Sequence, residues 1–171
     1  MMLKRYVFAG LVTCFASTSH AADGPSYDKT VNFIQSKLLS GAFPHRRDGD
    51  SVSFDISNCV ISKEIIDYGS NSSSSPYRYV GTYTWSLSLS QIDPSTARVT
   101  EYDSIDLGVT GRANSVRQVN SYADGRTERK FYHLFEIGTR EVKPPSSDSM
   151  PRVARALQHL VNLCGGAEEL F

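Results

Sequence analysis

Between residues 77 and 89 the chain alternates more regularly than anywhere else. Tyr77, Tyr79, Tyr83, Trp85, Leu87 and Leu89 hold the odd positions around Gly81. Arg78, Thr82, Thr84, Ser86, Ser88 and Ser90 hold the even ones. A side-chain period of two over that length predicts a long, half-buried strand with its aromatic face toward the core. Gly81 interrupts the row where a strand bends, or where another backbone or a ligand comes close.

Further strands are predicted on both sides. Val52, Phe54 and Ile56 alternate with Ser51, Ser53 and Asp55; beyond Ser57-Asn58 the phase inverts and Cys59, Ile61 and Ile65 carry it on. A bulge or tight turn near Asn58 explains the inversion. Ser72-Ser73-Ser74-Ser75 lies in a polar stretch, 69–76, that reads as a hairpin loop, and Ile92-Asp93-Pro94-Ser95 reads as a turn. Shorter strands follow over 98–102 and through Ile105, Leu107 and Val109. Two more, 116–122 and 127–137, flank Ala123-Asp124-Gly125-Arg126, where Asp-Gly signals a hairpin. In the last of them Phe131, His133, Phe135 and Ile137 share a face, which suggests a partly buried, hydrogen-bonded His133.

Helical spacing marks the two ends of this strand-rich region. Tyr27, Val31, Ile34 and Leu38, widened by Phe33, form a stripe over 26–40, with Pro25 and Ser26 as start signals and Gly41 as the C-terminal stop. Val153, Ala156, Leu157, Leu160, Val161 and Cys164 form the inner face of a helix over 149–164, and Arg152, Arg155, Gln158 and Asn162 face water. Asp148 or Ser149 caps that helix, Pro151 suits its first turn, and Gly165-Gly166 ends it. The chain is thus α+β: a helix, about six or seven antiparallel strands forming a bent sheet or partly open barrel, and a helix packed on the sheet. Strands that follow one another directly exclude a doubly wound parallel sheet. In architecture the arrangement resembles a pleckstrin-homology-type barrel, although no motif ties the chain to that family.

The first residues follow a different logic. Lys4 and Arg5 precede an apolar run over 7–16, and Ser19-His20-Ala21 places small residues before a cut near Ala21 or Ala22. This order predicts a signal peptide over 1–21, a single domain over 22–171, and a protein that matures in the periplasm or outside the cell. The apolar run is too short to span a bilayer. Leu11-Val12-Thr13-Cys14 offers a competing reading, since it resembles the motif after which bacterial lipoproteins are cut and acylated on cysteine, with Thr13 departing from the usual small residue.

Charge narrows the partners. The 171-residue sequence is formally neutral, and losing a leader with two basic and no acidic residues makes it slightly acidic. That balance does not suit nucleic acid, which requires concentrated basic surface. The basic residues between Arg112 and Lys143 are interleaved with Asp124, Glu128, Glu136 and Glu141, as on a solvated strand face. In an oxidising compartment Cys59 and Cys164 are expected to pair, with two buried free thiols as the alternative. No histidine or cysteine stands at metal-ligand spacing from either, and the Asp48-Gly49-Asp50 turn lacks the other ligands of a calcium loop. No metal or cofactor is expected.

Catalytic parts are sparse. No serine sits in a Gly-x-Ser-x-Gly elbow, and His45, His133 and His159 read as loop, strand and helix residues. Asp67, Asp93, Glu101, Asp103 and Asp106 cannot be paired across a cleft from sequence alone. Binding requires less. His45, Arg46 and Arg47 in one loop and Ser73 and Ser74 in another are candidate contacts, and Tyr79, Tyr83 and Trp85 are a candidate pocket wall. The expectation is an exported, non-catalytic binding protein that recognises another protein in an inhibitor- or immunity-like role. Two alternatives stay open: a carrier holding an apolar small molecule or lipid between the sheet and the terminal helix, and a cell-envelope hydrolase using His133 or acidic residues.

Overall fold

Two residues decide where the first long hairpin turns. Asn58 and Cys59 both take positive φ, 50° and 57°, and Ser57 pairs directly with Val60. Left-handed backbone at both central positions makes a two-residue turn whose twist matches that of the flanking strands. The phase inversion in the sequence is therefore a tight turn. Cysteine rarely adopts this conformation, which costs a non-glycine residue about 1–2 kcal/mol. Three contacts hold it: its N–H donates to the Tyr27 hydroxyl at 3.2 Å, its carbonyl accepts from the Leu89 N–H at 2.8 Å, and its sulfur is bonded to Cys164.

The computed structural model describes residues 24–42, 50–69, 78–101, 104–110, 115–138, 141–142 and 148–166. In chain order the elements are α1 (Tyr27–Lys37), β1 (Gly41–Ala42), β2 (Ser51–Ser57), β3 (Val60–Gly69) and β4 (Arg78–Ser88). They continue through two 3-10 turns (Leu89–Gln91 and Pro94–Thr96) to β5 (Arg98–Val99), β6 (Ser104–Gly108), β7 (Val116–Tyr122), β8 (Thr127–Tyr132), β9 (Leu134–Gly138) and α2 (Ser149–Leu163). The α+β class and the helix packed on antiparallel sheet are as the sequence predicts. The strands sort into two sheets, one of six in the order β1-β2-β3-β4-β7-β8 and one of three in the order β5-β6-β9. Neither closes into a barrel among the described residues.

Three local expectations change. The strand expected over 127–137 is two strands: β8 pairs with β7, the chain crosses at His133, and β9 pairs with β6 in the other sheet. Phe131 is consequently 56% exposed while Phe135 and Ile137 are buried. His133 is exposed, not partly buried, and its carbonyl accepts from the Val109 N–H at 3.2 Å. Second, α1 ends at Lys37; Leu38 is already extended and pairs with Val142, and Gly41 opens β1 instead of capping the helix.

The third change lies within the aromatic strand. Asp67 pairs with Gly81 but Tyr68 pairs with Tyr79, so Val80 is an extra residue in β4. Such a bulge reverses the faces beyond it. Tyr79 leaves the row of Tyr83 and Trp85 and meets Thr82 and Tyr68, with its hydroxyl 3.0 Å from the Thr82 Oγ1 and its ring edge-on to Tyr68. Gly81 serves the close approach: a Cβ there would stand 2.8 Å from the Ser121 carbonyl oxygen of β7.

The core lies where the small sheet and helices cover one end of the large sheet. Val153, Leu157, Leu160 and Val161 of α2 pack with Ile34 of α1, Ile105 and Leu107 of β6, and Phe135 and Ile137 of β9, over Ile56, Ile61 and Leu87 of the large sheet. Ala154, on the face turned toward these residues, is also buried. The helix stops as expected, with Gly165 at φ 78° and the Gly165 and Gly166 amides donating to Asn162 and Val161 carbonyls. The Cys59–Cys164 bond joins this end to the β2–β3 turn. Among the described residues no helix is long and apolar enough to cross a membrane.

Candidate functional site

The inner face of the large sheet is graded along its strands. Its first row, Ile56, Ile61 and Leu87, is fully apolar and covered. The next row is Phe54, Lys63, Trp85, Gln118 and Lys130, and the one beyond is Val52, Ile65, Tyr83, Asn120 and Glu128. Polar residues thus enter positions that strand parity assigns to the interior.

A cleft of about 530 Å³ opens at the second row. Lys63, Trp85 and Gln118 line it from the large sheet; Tyr132, His133, Leu134, Phe135 and Glu136 line it from the crossing between β8 and β9. Lys63 is fixed at its inner wall. Its Nζ donates to the Glu136 carbonyl at 2.7 Å, stands 3.3 Å from Glu141 Oε1, and lies 5.3 Å and 5.7 Å from the centroids of Trp85 and Phe135. Glu141 also accepts the Gly138 N–H at 2.9 Å. Burial raises the Glu141 carboxyl above its ordinary value, although Lys63 and the Gly138 amide draw it down. The Lys63 ammonium is therefore surrounded by a buried carboxyl group, a backbone carbonyl and two aromatic rings.

Beside the cleft lies an aromatic and amide cluster. Tyr83 is tilted against Trp85 at 6.3 Å and edge-on to Tyr122 at 6.2 Å. Burial, with Asp67 adding, raises the Tyr83 hydroxyl above its ordinary value and keeps it neutral. Tyr122 gives its proton to Glu128 at 3.1 Å and so accepts from the Asn120 amide nitrogen at 3.4 Å. That leaves the Asn120 Oδ1 without a donor among the described residues, in a residue only 3% exposed. Such a buried acceptor is costly to leave unmet, by about 1–3 kcal/mol.

Of the sequence-derived candidates, Trp85 lines the cleft, Tyr83 backs it, and Tyr79 lies on the opposite face. His45, Arg46, Arg47, Ser73, Ser74 and the segment over 1–21 with Cys14 lie outside the described residues. Asp93 caps the turn at Ser95 and Asp106 accepts from Ser104, both structural tasks. His159 meets the Pro25 carbonyl. Among the described residues no three metal-ligating side chains cluster. Sequence reasoning missed Lys63 and Gln118. The signal was present: a lysine between Ile61 and Ile65, and a glutamine sharing the parity of Val116.

No protein-family model matches this chain, and no curated protein or solved structure matches it significantly.

Proposed function

We propose that the protein is an exported, non-catalytic binder that takes an extended segment of a partner protein along β8, with one side chain of that segment entering the cleft beside Trp85. The observation that carries this reading is the β8 edge of the large sheet, unpaired among the described residues. β8 is the last strand in its sheet and all six of its residues are exposed. Tyr122 donates to the Arg126 carbonyl and Ala123 to the Val80 carbonyl, which sets the phase of the ladder. Glu128, Lys130 and Tyr132 then bond to β7, and the backbone groups of Thr127, Arg129 and Phe131 point away from the sheet. An incoming strand pairs with such an edge, and pockets for its side chains supply specificity. Exposed Phe131 and Tyr132 with Arg129 supply the residue types that anchor interfaces. The charges of Glu128, Arg129 and Lys130 discourage the edges of two copies from pairing.

Export is supported by the basic-apolar-small order of the first residues and by the disulfide. The test is selection of linear peptides from a random library against the oxidised protein. Expected binders slow amide exchange at Thr127, Arg129 and Phe131 and change the fluorescence of Trp85, the single tryptophan of the chain. Arg129→Pro removes an outward-facing N–H and should abolish that binding. Binders that leave those amides exchanging freely, or no binders at all, would overturn the reading.

A further inference from the structure

A second concave site lies between the two helices and shares no residue with the cleft. It measures about 400 Å³ and is lined by Pro25, Lys29, Thr30 and Phe33 from the first helix and its lead-in, and by Arg155, Ala156 and His159 from α2. This volume falls within the roughly 300–1,000 Å³ typical of small-molecule clefts. Phe33 and Ala156 supply an apolar floor. Lys29 from α1 and Arg155 from α2 line it from opposite helices, and among the described residues no acidic side chain does. Neither cation has a carboxylate partner among the described residues. A third, Arg152, has its guanidinium 5.7 Å from the Phe33 ring centroid.

We infer that this groove binds a single-chain anionic amphiphile, with its apolar body on Phe33 and Ala156 and its carboxylate between Lys29 and Arg155. The polar lining decides against a peptide. The Thr30 hydroxyl donates to the Ser26 carbonyl at 3.0 Å, and the His159 Nε2 is engaged by the Pro25 carbonyl at 2.8 Å. A peptide backbone laid here would lose water from its N–H and C=O groups and meet few free partners. An acyl chain has no such groups, and its one charged end meets two cations. The end wall is fixed as well: the His159 ring lies so close over Gly24 that a Cβ there would be 2.7 Å from its Cε1.

The experiment is an amide chemical-shift titration of the oxidised protein with dodecanoate below its micelle-forming concentration, with dodecanol, an acidic leucine-rich peptide and anionic phospholipid vesicles as separate arms. Saturable shifts at Lys29, Phe33, Arg155 and Ala156 with dodecanoate are expected, and dodecanol should bind about tenfold more weakly or worse. Lys29→Gln with Arg155→Gln, both exposed positions, should weaken dodecanoate by a similar factor while leaving the thermal midpoint unchanged. The proposal fails if dodecanoate shifts nothing there, if dodecanol binds as well, or if the double variant binds as tightly. It also fails if only the peptide or only the vesicles perturb the groove.

Discussion

Ile61 and Leu87 form one pair on the inner face of the large sheet, and Ile65 and Tyr83 form another four residues along. Both pairs obey the same alternation, yet the first is fully buried and the second half-open. The difference lies in what covers them. The small sheet and the two helices close over the first pair; further along, the same face still meets β9 at Lys63 and then carries Gln118 and Asn120. Alternation reports which face a residue occupies. It does not report what lies on that face.

The largest test of this contrast concerns the staple at the covered end. Replacing Cys59 and Cys164 together with serine frees a loop spanning 105 residues, and in the chain-entropy account costs about 4–5 kcal/mol. Urea unfolding of the variant against the oxidised protein measures it. A loss below about 1 kcal/mol would mean that the covered end is held by packing alone, without help from the cross-link.

Next in size is a comparison within one strand. Leu87→Ala should cost about 3 kcal/mol, because a fully buried leucine leaves a cavity its neighbours cannot fill. Tyr83→Ala should cost less, about 1–2 kcal/mol, since that ring is only partly buried. Equal costs in denaturant unfolding would erase the distinction between the two ends of the face.

These contrasts also mark what the residues disclosed beforehand. The helices, the hairpin at Asp124-Gly125 and the turn at Asn58 are written in spacing and turn chemistry, which act within a few residues. The disulfide followed from cysteine arithmetic. What stayed hidden depends on contacts distant in sequence. The bulge that sends Tyr79 to the other face is defined only against β3 and β7. The break at His133 exists because β6 draws Phe135 and Ile137 into a second sheet, while the local pattern runs through it unchanged. Half of the candidate pocket wall was legible for the same reason: Trp85 and Tyr83 keep their phase, whereas Lys63 and Gln118 gain meaning only once the cover above them is known.

Lys63 tests the boundary between the two ends. Lys63→Met leaves Glu141 buried without its counter-charge, and breaking such a pair costs about 3 kcal/mol when the carboxylate is ionised. The loss should depend on pH in a definite direction. Burial already raises the Glu141 carboxyl in the folded protein, and removing the lysine raises it further. A folded-state value above the unfolded one means that this group's stabilisation is present below the unfolded value and is lost as pH rises through the folded value. The deficit of the variant should therefore be largest in mildly alkaline solution and shrink toward pH 5. A deficit that grew on acidification would show that Glu141 is not the group left uncompensated.

Phe131 carries the smallest expected effect on stability and the sharpest separation of roles. It is 56% exposed, it belongs to an edge strand, and its backbone groups face away from β7. Phe131→Ser should change unfolding free energy by less than about 0.5 kcal/mol, as surface substitutions do. Peptides selected for the β8 edge should nonetheless lose about tenfold or more in affinity, because an exposed aromatic beside an open strand contributes contact area only when a partner arrives. The opposite outcome, lost stability with unchanged peptide affinity, would place Phe131 with the core and move recognition elsewhere. Pairing this variant with Leu87→Ala therefore asks one question of both ends of the sheet: whether an apolar side chain serves the fold or waits for a ligand.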